Sequence, residues 1–138
     1  MEDIQLKRII TSGKRKRAIA RAILTEGKGL ITINKKNYQI LQPFDRLKIE
    51  EPLRITENII GNRNFNVSIN IRGGGEKGQI EAARLALARA ILKFTNSKEL
   101  EKAFLDYDWS LLVADVRRKE AYKPGDSKAR RKRQKSFR

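Results

Sequence analysis

The sequence predicts an α+β domain, and three patterns carry that prediction. Phe65, Val67, Ile69 and Ile71 alternate with Asn66, Ser68, Asn70 and Arg72, the period of a strand with one buried face. After it, Ile80, Ala83, Leu87, Ala90, Ile91 and Phe94 recur at helical spacing, which predicts an amphipathic helix over 79–94. Earlier, Ala18, Ala20, Ala22 and Leu24 alternate with Arg17, Ile19, Arg21 and Ile23, a second strand. The 138 residues suffice for one such domain with a tail, but not for two cores.

The remaining elements follow along the chain. Glu26-Gly27-Lys28-Gly29 is turn chemistry and Leu30-Ile31-Thr32-Ile33 a short strand, so residues 17–33 read as a β-hairpin. A partly helical stretch is expected around Phe44 to Ile49. Pro52 suits a first helical turn and Gly61 a helix stop, bracketing a helix near 52–60. Asn96 with Glu99 resembles a capping box opening a shorter helix to about Leu105. Leu111-Leu112-Val113-Ala114 reads as a buried strand. The expected body has three to five strands, with two main helices on one sheet face. Beyond Arg117 the periodicity stops and Pro124-Gly125 breaks any helix, so this segment is expected to order only on its partner.

Charge is distributed unevenly. Lys and Arg number 32 against 16 Asp and Glu, a formal charge of +16. Residues 1–21 hold seven basic and two acidic residues, 22–116 fourteen and twelve, and 117–138 eleven and two. The chain therefore divides into an α+β body over 1–116, with a basic N-terminal arm, and an extended basic tail over 117–138. Such concentrated charge points to a polyanionic partner. A membrane is disfavoured, because no amphipathic helix or apolar anchor accompanies the charge. Met1 to Gln5 carries two acids and no secretory pattern, so a soluble cytoplasmic protein is expected. With no Cys and no His, thiol and imidazole chemistry are excluded, and no metal or cofactor is expected.

Several motifs bear on chemistry. Gly73-x-Gly75-x-x-Gly78 is formally a dinucleotide loop, but the acid on a following parallel strand is missing. A tight turn, or backbone approach to an RNA phosphate, remains. Lys14-Arg15-Lys16-Arg17 reads as a nuclear-localisation-like patch or a phosphate-contact arm; Ser12-Gly13-Lys14 lacks the upstream glycine of a P-loop. The pairs Glu50-Glu51 and Asp106-x-Asp108 have no partner for acid–base work and are expected as helix caps. Tyr107 and Trp109 could stack on a base, but beside the apolar run they read as the edge of the core. Candidate phosphate contacts are Lys14, Arg15, Lys16, Arg17, Arg21, Arg72 and Lys77 on the body. On the tail they are Arg117, Arg118, Lys119, Lys123, Lys128, Arg130, Arg131, Lys132 and Arg133. A free-standing nucleic-acid binder and a small nucleotide-phosphate enzyme are the alternatives from other classes.

From Ser12 to Arg138 the chain resembles the universal small-subunit ribosomal protein S-nine family. The resemblance is carried by Gly13-Lys14-Arg15-Lys16 with Ala18-Ile19-Ala20-Arg21-Ala22, then Gly27-Lys28-Gly29, Ile33-Asn34, Glu51-Pro52-Leu53 and Gly73-Gly74-Gly75. It continues in Leu111-Leu112-Val113-Ala114-Asp115 with Arg117-Arg118, Ala129-Arg130-Arg131 and Gln134-Lys135-Ser136-Phe137-Arg138. Glu51-Pro52-Leu53 and the Leu111 to Asp115 stretch look like the archaeal and eukaryotic branch.

The resemblance implies a fold like the second domain of ribosomal protein S-five, a βαβ arrangement with a left-handed crossover. It implies a structural, non-enzymatic role in the small-subunit head, on the 3′ major domain of the small-subunit rRNA and beside other head proteins. The tail would reach the peptidyl-site tRNA, with Arg138 as the first tRNA-binding position and Lys135, Ser136 and Phe137 nearby. Phe137 stands where that branch usually has Tyr and bacteria have Lys. Val116 replaces a common Pro before the Arg pair, leaving the tail's exit direction less fixed.

Overall fold

The computed structural model describes residues 7–122. One five-stranded sheet contains β1 (Ile9–Arg15), β2 (Ala18–Glu26), β3 (Ile31–Ile33), β4 (Lys36–Asn37) and β5 (Phe65–Arg72). Three helices accompany it: α1 (Pro43–Ile60), α2 (Glu76–Thr95) and α3 (Lys98–Tyr107). Across the sheet the order is β1-β2-β5-β3-β4; only the β3–β5 pair is parallel. These two parallel neighbours are joined in sequence through β4 and α1, a βαβ unit. The α+β class, strand β5 and helix α2 are as the sequence predicts. Among the described residues no helix is long and apolar enough to cross a membrane.

Several local expectations are corrected. The hairpin over 17–33 does not form; β2 pairs with β1 before it and with β5, and Ile9 to Arg15 is strand where a basic arm was expected. Asn66 explains the difference. Its Oδ1 accepts the amides of Lys28, Gly29 and Leu30 at 3.0, 3.2 and 3.0 Å, which carries the chain over the end of β5. A Cβ at Gly27 would collide with that same amide. Strand β3 therefore lands on the far side of β5, where Asn34 (φ 49°) extends the pairing through its side chain to the Ile71 amide at 2.9 Å.

Helix α1 is one continuous helix beginning at Pro43, so Pro52 lies inside it and not at a start. Pro52 is buried and has no N–H to donate back along the helix. Gly61 ends α1 at φ 90°, as expected. Asn96 is the left-handed C-cap of α2, and the N-cap of α3 is Ser97, whose hydroxyl accepts the Leu100 amide at 3.2 Å. Leu111 to Ala114 is no strand. Trp109–Leu111 is a 3-10 turn, and the amides of Leu112 and Val113 bond to the Trp109 carbonyl instead of a sheet partner. Glu50 and Glu51 sit inside α1 and are not caps, whereas Asp108 does cap the 3-10 turn.

One face of the sheet is covered. Gly13, Ala18, Ala20 and Ala22 point at α2, which answers with Ala82, Ala83, Ala86 and Ala90. A Cβ at Gly13 would run into the Ala82 carbonyl and within 2.7 Å of the Ala86 nitrogen. Beside it, the Thr11 hydroxyl donates to the Ala86 carbonyl at 2.8 Å. The opposite face is open and carries Ser12, Lys14, Ile19, Arg21, Asn70 and Arg72, all exposed. Gly13→Ala should destabilise the domain by about 1–3 kcal/mol, the range for overpacking a filled core. Urea unfolding checks this, and an unchanged midpoint would refute the tight seam.

Candidate nucleic-acid interface

Three segments meet at one end of the domain: the β1–β2 turn, the β5–α2 loop, and the chain leaving the body at Asp115. Lys16 takes the left-handed conformation (φ 53°) in the two-residue turn, so Lys16 and Arg17 project beyond the sheet. Gly73 (φ 75°) and Gly74 (φ 66°) are also left-handed. A Cβ at Gly73 would stand 2.7 Å from the Arg17 carbonyl, and one at Gly74 2.9 Å from Ala18. These glycines are thus required by a tight turn packed on the β1–β2 hairpin. Among the described residues no dinucleotide unit forms, since α2 leads into α3 and not into a parallel strand.

Between these segments lies a cleft of about 650 Å³, lined by Arg15, Lys16, Arg17, Gly74, Gly75, Arg117, Arg118 and Lys119. It holds six cationic side chains and no carboxylate. Gly75 is the N-cap of α2, with no side-chain cap and open space around it, so the free amides of the first turn stand at this end beside Glu76. An adjoining cleft of about 410 Å³ shares Arg15 and Arg117 but is lined by both signs of charge.

Asp115 organises the exit of the tail. Its carboxylate accepts the Arg117 amide at 2.9 Å and Arg117 Nη2 at 2.7 Å, and faces Arg15 Nη2 at 3.4 Å. Its carbonyl accepts Arg118 Nη1 at 2.8 Å. This turn constrains the chain at Val116, which stands where the family resemblance makes a Pro common. Hydrogen bonds from the Arg117 guanidinium and amide hold the Asp115 carboxyl well below the usual carboxylate range. Reciprocally, the same bond raises Arg117.

Of the predicted contacts, Lys16 and Arg17 of the body and Arg117, Arg118 and Lys119 of the tail are brought together. Arg15 joins them but is largely buried, its Nε donating to Glu81 at 2.7 Å. Lys14, Arg21 and Arg72 belong to the open sheet face, where Ile19 stands between Lys14 and Arg72 and Arg21 lies beside Asn70. Lys77 is exposed in the first turn of α2. Lys123, Lys128, Arg130, Arg131, Lys132, Arg133, Lys135, Ser136, Phe137 and Arg138 lie outside the described residues. Tyr107 and Trp109 are no core edge: they are 57% and 64% exposed, and Leu111 takes the buried position.

Sequence reasoning missed two arginines of α2. Arg84 binds Glu51 of α1 and Asp108 beyond α3, at 3.1 Å for the latter. Burial opposes ionisation of Asp108, but hydrogen bonds from Ser110 and then Arg84 outweigh it and lower its pKa. Arg89 donates to the carbonyls of Leu112 at 3.1 Å and Ser12 at 3.0 Å, tying the exit segment to the edge strand β1. The available signal was two arginines within a run of Ala and Leu.

The cleft is cationic, with no carboxylate among the described residues of its wall. Residues 13–138 match the family model described as Ribosomal protein S9/S16. Small ribosomal subunit protein uS9 of Methanococcus vannielii is 45% identical over 136 residues, covering 96% of this chain and 100% of that protein. The uS9 proteins of Thermoplasma volcanium and Thermoplasma acidophilum are 46% and 47% identical, each over 94% of this chain and at least 98% of the relative. The chain is therefore a ribosomal protein and not an enzyme. It belongs to the ribosomal protein S9/S16 family, and these similar relatives are archaeal.

The lowered Asp115 pKa has a definite sign. Its stabilising contribution is present above the ordinary Asp value and is lost only as pH falls through the lower folded value. A carboxyl-carbon NMR titration should find Asp115 still ionised near pH of about 3.9, where a free Asp is half protonated. An ordinary midpoint would refute the Arg117 turn.

Proposed function

We propose that the protein is a structural constituent of the small ribosomal subunit that binds its rRNA through the end where the hairpin, the glycine loop and the tail meet. The observation that carries this reading is the cleft of Arg15, Lys16, Arg17, Arg117, Arg118 and Lys119 with no carboxylate in its wall. Arg forks and uncapped helix amides both suit phosphate oxygens. Lys14, Arg21, Arg72 and Lys77 extend the contact along the open face and the α2 start. Lys123, Lys128, Arg130, Arg131, Lys132 and Arg133 would add further phosphate contacts. Family membership supports placing this in the head, on the 3′ major domain and against neighbouring head proteins, in cytoplasmic ribosomes. The βαβ unit of β3, α1 and β5 supports a likeness to the second domain of ribosomal protein S-five.

The end of the tail is assigned to translation itself. Arg138, with Lys135, Ser136 and Phe137, contacts peptidyl-site tRNA in this reading. Phe137 brings neither a charge nor a hydroxyl, so Arg138 and Lys135 carry the charged contact.

Two measurements test the proposal. Alanine at Arg17 and at Arg118 should each flatten the salt dependence of binding to a small-subunit rRNA transcript, by roughly 0.7–0.9 log units per log unit of salt for each phosphate lost. An unaltered slope would count against the cleft. Removing 117–138 should abolish incorporation into subunits, whereas removing only Lys135 to Arg138 should leave assembly intact and weaken peptidyl-site tRNA binding. Full tRNA affinity after the short deletion would remove the tail's end from the decoding role.

A further inference from the structure

Beyond the cationic contacts, the structure contains an aromatic position that none of them uses. Trp109, the single tryptophan of the chain, is 64% exposed, and Tyr107 two residues earlier is 57% exposed. A surface indole forgoes the burial that usually retains tryptophan in a fold, so packing does not account for it.

The backbone beneath it is held from three sides. The Trp109 carbonyl accepts the amides of Leu112 at 3.3 Å and Val113 at 3.2 Å. Asp108 before it accepts the Ser110 amide at 3.0 Å and hydroxyl at 2.8 Å, and is fixed by Arg84 from α2. Leu111 after it is completely buried. The ring is thus presented from a fixed base, which lowers the ordering entropy of any contact it makes.

Its sequence neighbours adjoin the interface. Asp108 and Ser110, its neighbours on both sides, line the smaller cleft, and that cleft shares Arg15 and Arg117 with the acid-free one. Glu51, Glu81 and Asp115 also line the smaller cleft, so the cations that lead from the acid-free cleft toward the turn are the two shared arginines. A strand whose phosphates follow the shared arginines would leave its bases beside the 3-10 turn. A cationic track with an aromatic platform at its side is the arrangement that captures unpaired nucleotides. We propose that Trp109 is a stacking site for an unpaired base of the RNA bound by this protein, with Tyr107 beside it on the same junction. The proposal rests on the rRNA-binding reading and adds to it a single-stranded element at a named position.

The test uses the full chain and a transcript of small-subunit rRNA. Stacking should quench the emission of Trp109 on binding, while an RNA duplex without loops should leave it nearly unchanged. Trp109→Ala should weaken transcript binding roughly tenfold, within the range for loss of one stacked base, at every salt concentration and without altering the salt slope. Trp109→Tyr should restore most of the loss. Since the side chain is exposed, the variants should melt with the wild type, and a melting curve verifies it. Normal binding by the wild type with no quenching, and unchanged affinity of Trp109→Ala, would overturn the stacking site and leave the rRNA-binding reading intact. Weakening seen only when other small-subunit proteins are present would assign the indole to a protein neighbour and equally overturn it. Failure of the wild type to bind the transcript at all would overturn both.

Discussion

The close approach of α2 to the first two strands is the constraint on which the rest depends. Gly13, Ala18, Ala20 and Ala22 carry almost no side-chain bulk, and Ala82, Ala83, Ala86 and Ala90 oppose them. Small residues on both surfaces let a backbone carbonyl of α2 take a hydrogen bond from Thr11 inside the seam. Once the helix lies that low, the β5–α2 loop has to turn against Arg17 and Ala18, and only left-handed glycines fit there. The cationic cleft is a consequence of this packing: residues distant in sequence become neighbours because the seam has no room to hold them apart.

Legibility from the sequence followed the range of the forces involved. Strand β5 and helix α2 were readable because each buries one face continuously, and periodicity reports that directly. The partner of β2 was not readable in the same way. Alternation shows that a segment is a strand, but here the choice between hairpin and crossover depended on one amide, Asn66, nearly forty positions from the loop it organises. Pro52 misled for a related reason. Proline favours a first turn, yet a long helix with Pro43 already at its start tolerates a second one inside, where the surrounding packing holds it. Leu111 to Ala114 is apolar because Leu111 fills the core beneath a 3-10 turn, a role that a four-residue pattern cannot separate from a strand.

The interface was partly legible for the same reasons. Clustered charge located Lys16, Arg17 and Arg117 to Lys119 without any fold, since net charge is a property of composition. Their convergence was invisible, because it needs the seam. Trp109 was misplaced because an aromatic next to an apolar run is usually buried with it, and here the tight turn puts Leu111 inward and the indole outward.

Carboxylates divide the cations of this chain into two populations. Arg84 is matched by Glu51 and Asp108, Arg54 and Arg46 by Glu50, and Arg63 by Glu57, so charges that brace the helices are neutralised within the body. Lys16, Arg17, Arg21 and Arg72 have no ion pair among the described residues. Adding acids around them would relieve repulsion in the free protein but would compete with every phosphate that approached. Arg15 and Arg117 stand at the boundary between the two sets. Asp115 holds both, and the resulting bonds fix Arg117 at the edge of the cleft while leaving it largely exposed. A carboxylate at that place fixes where the chain leaves the body, at the cost of one cation's full availability. The unpaired residues around it keep a positive potential, and the repulsion among them is the kind that a bound polyanion would relieve.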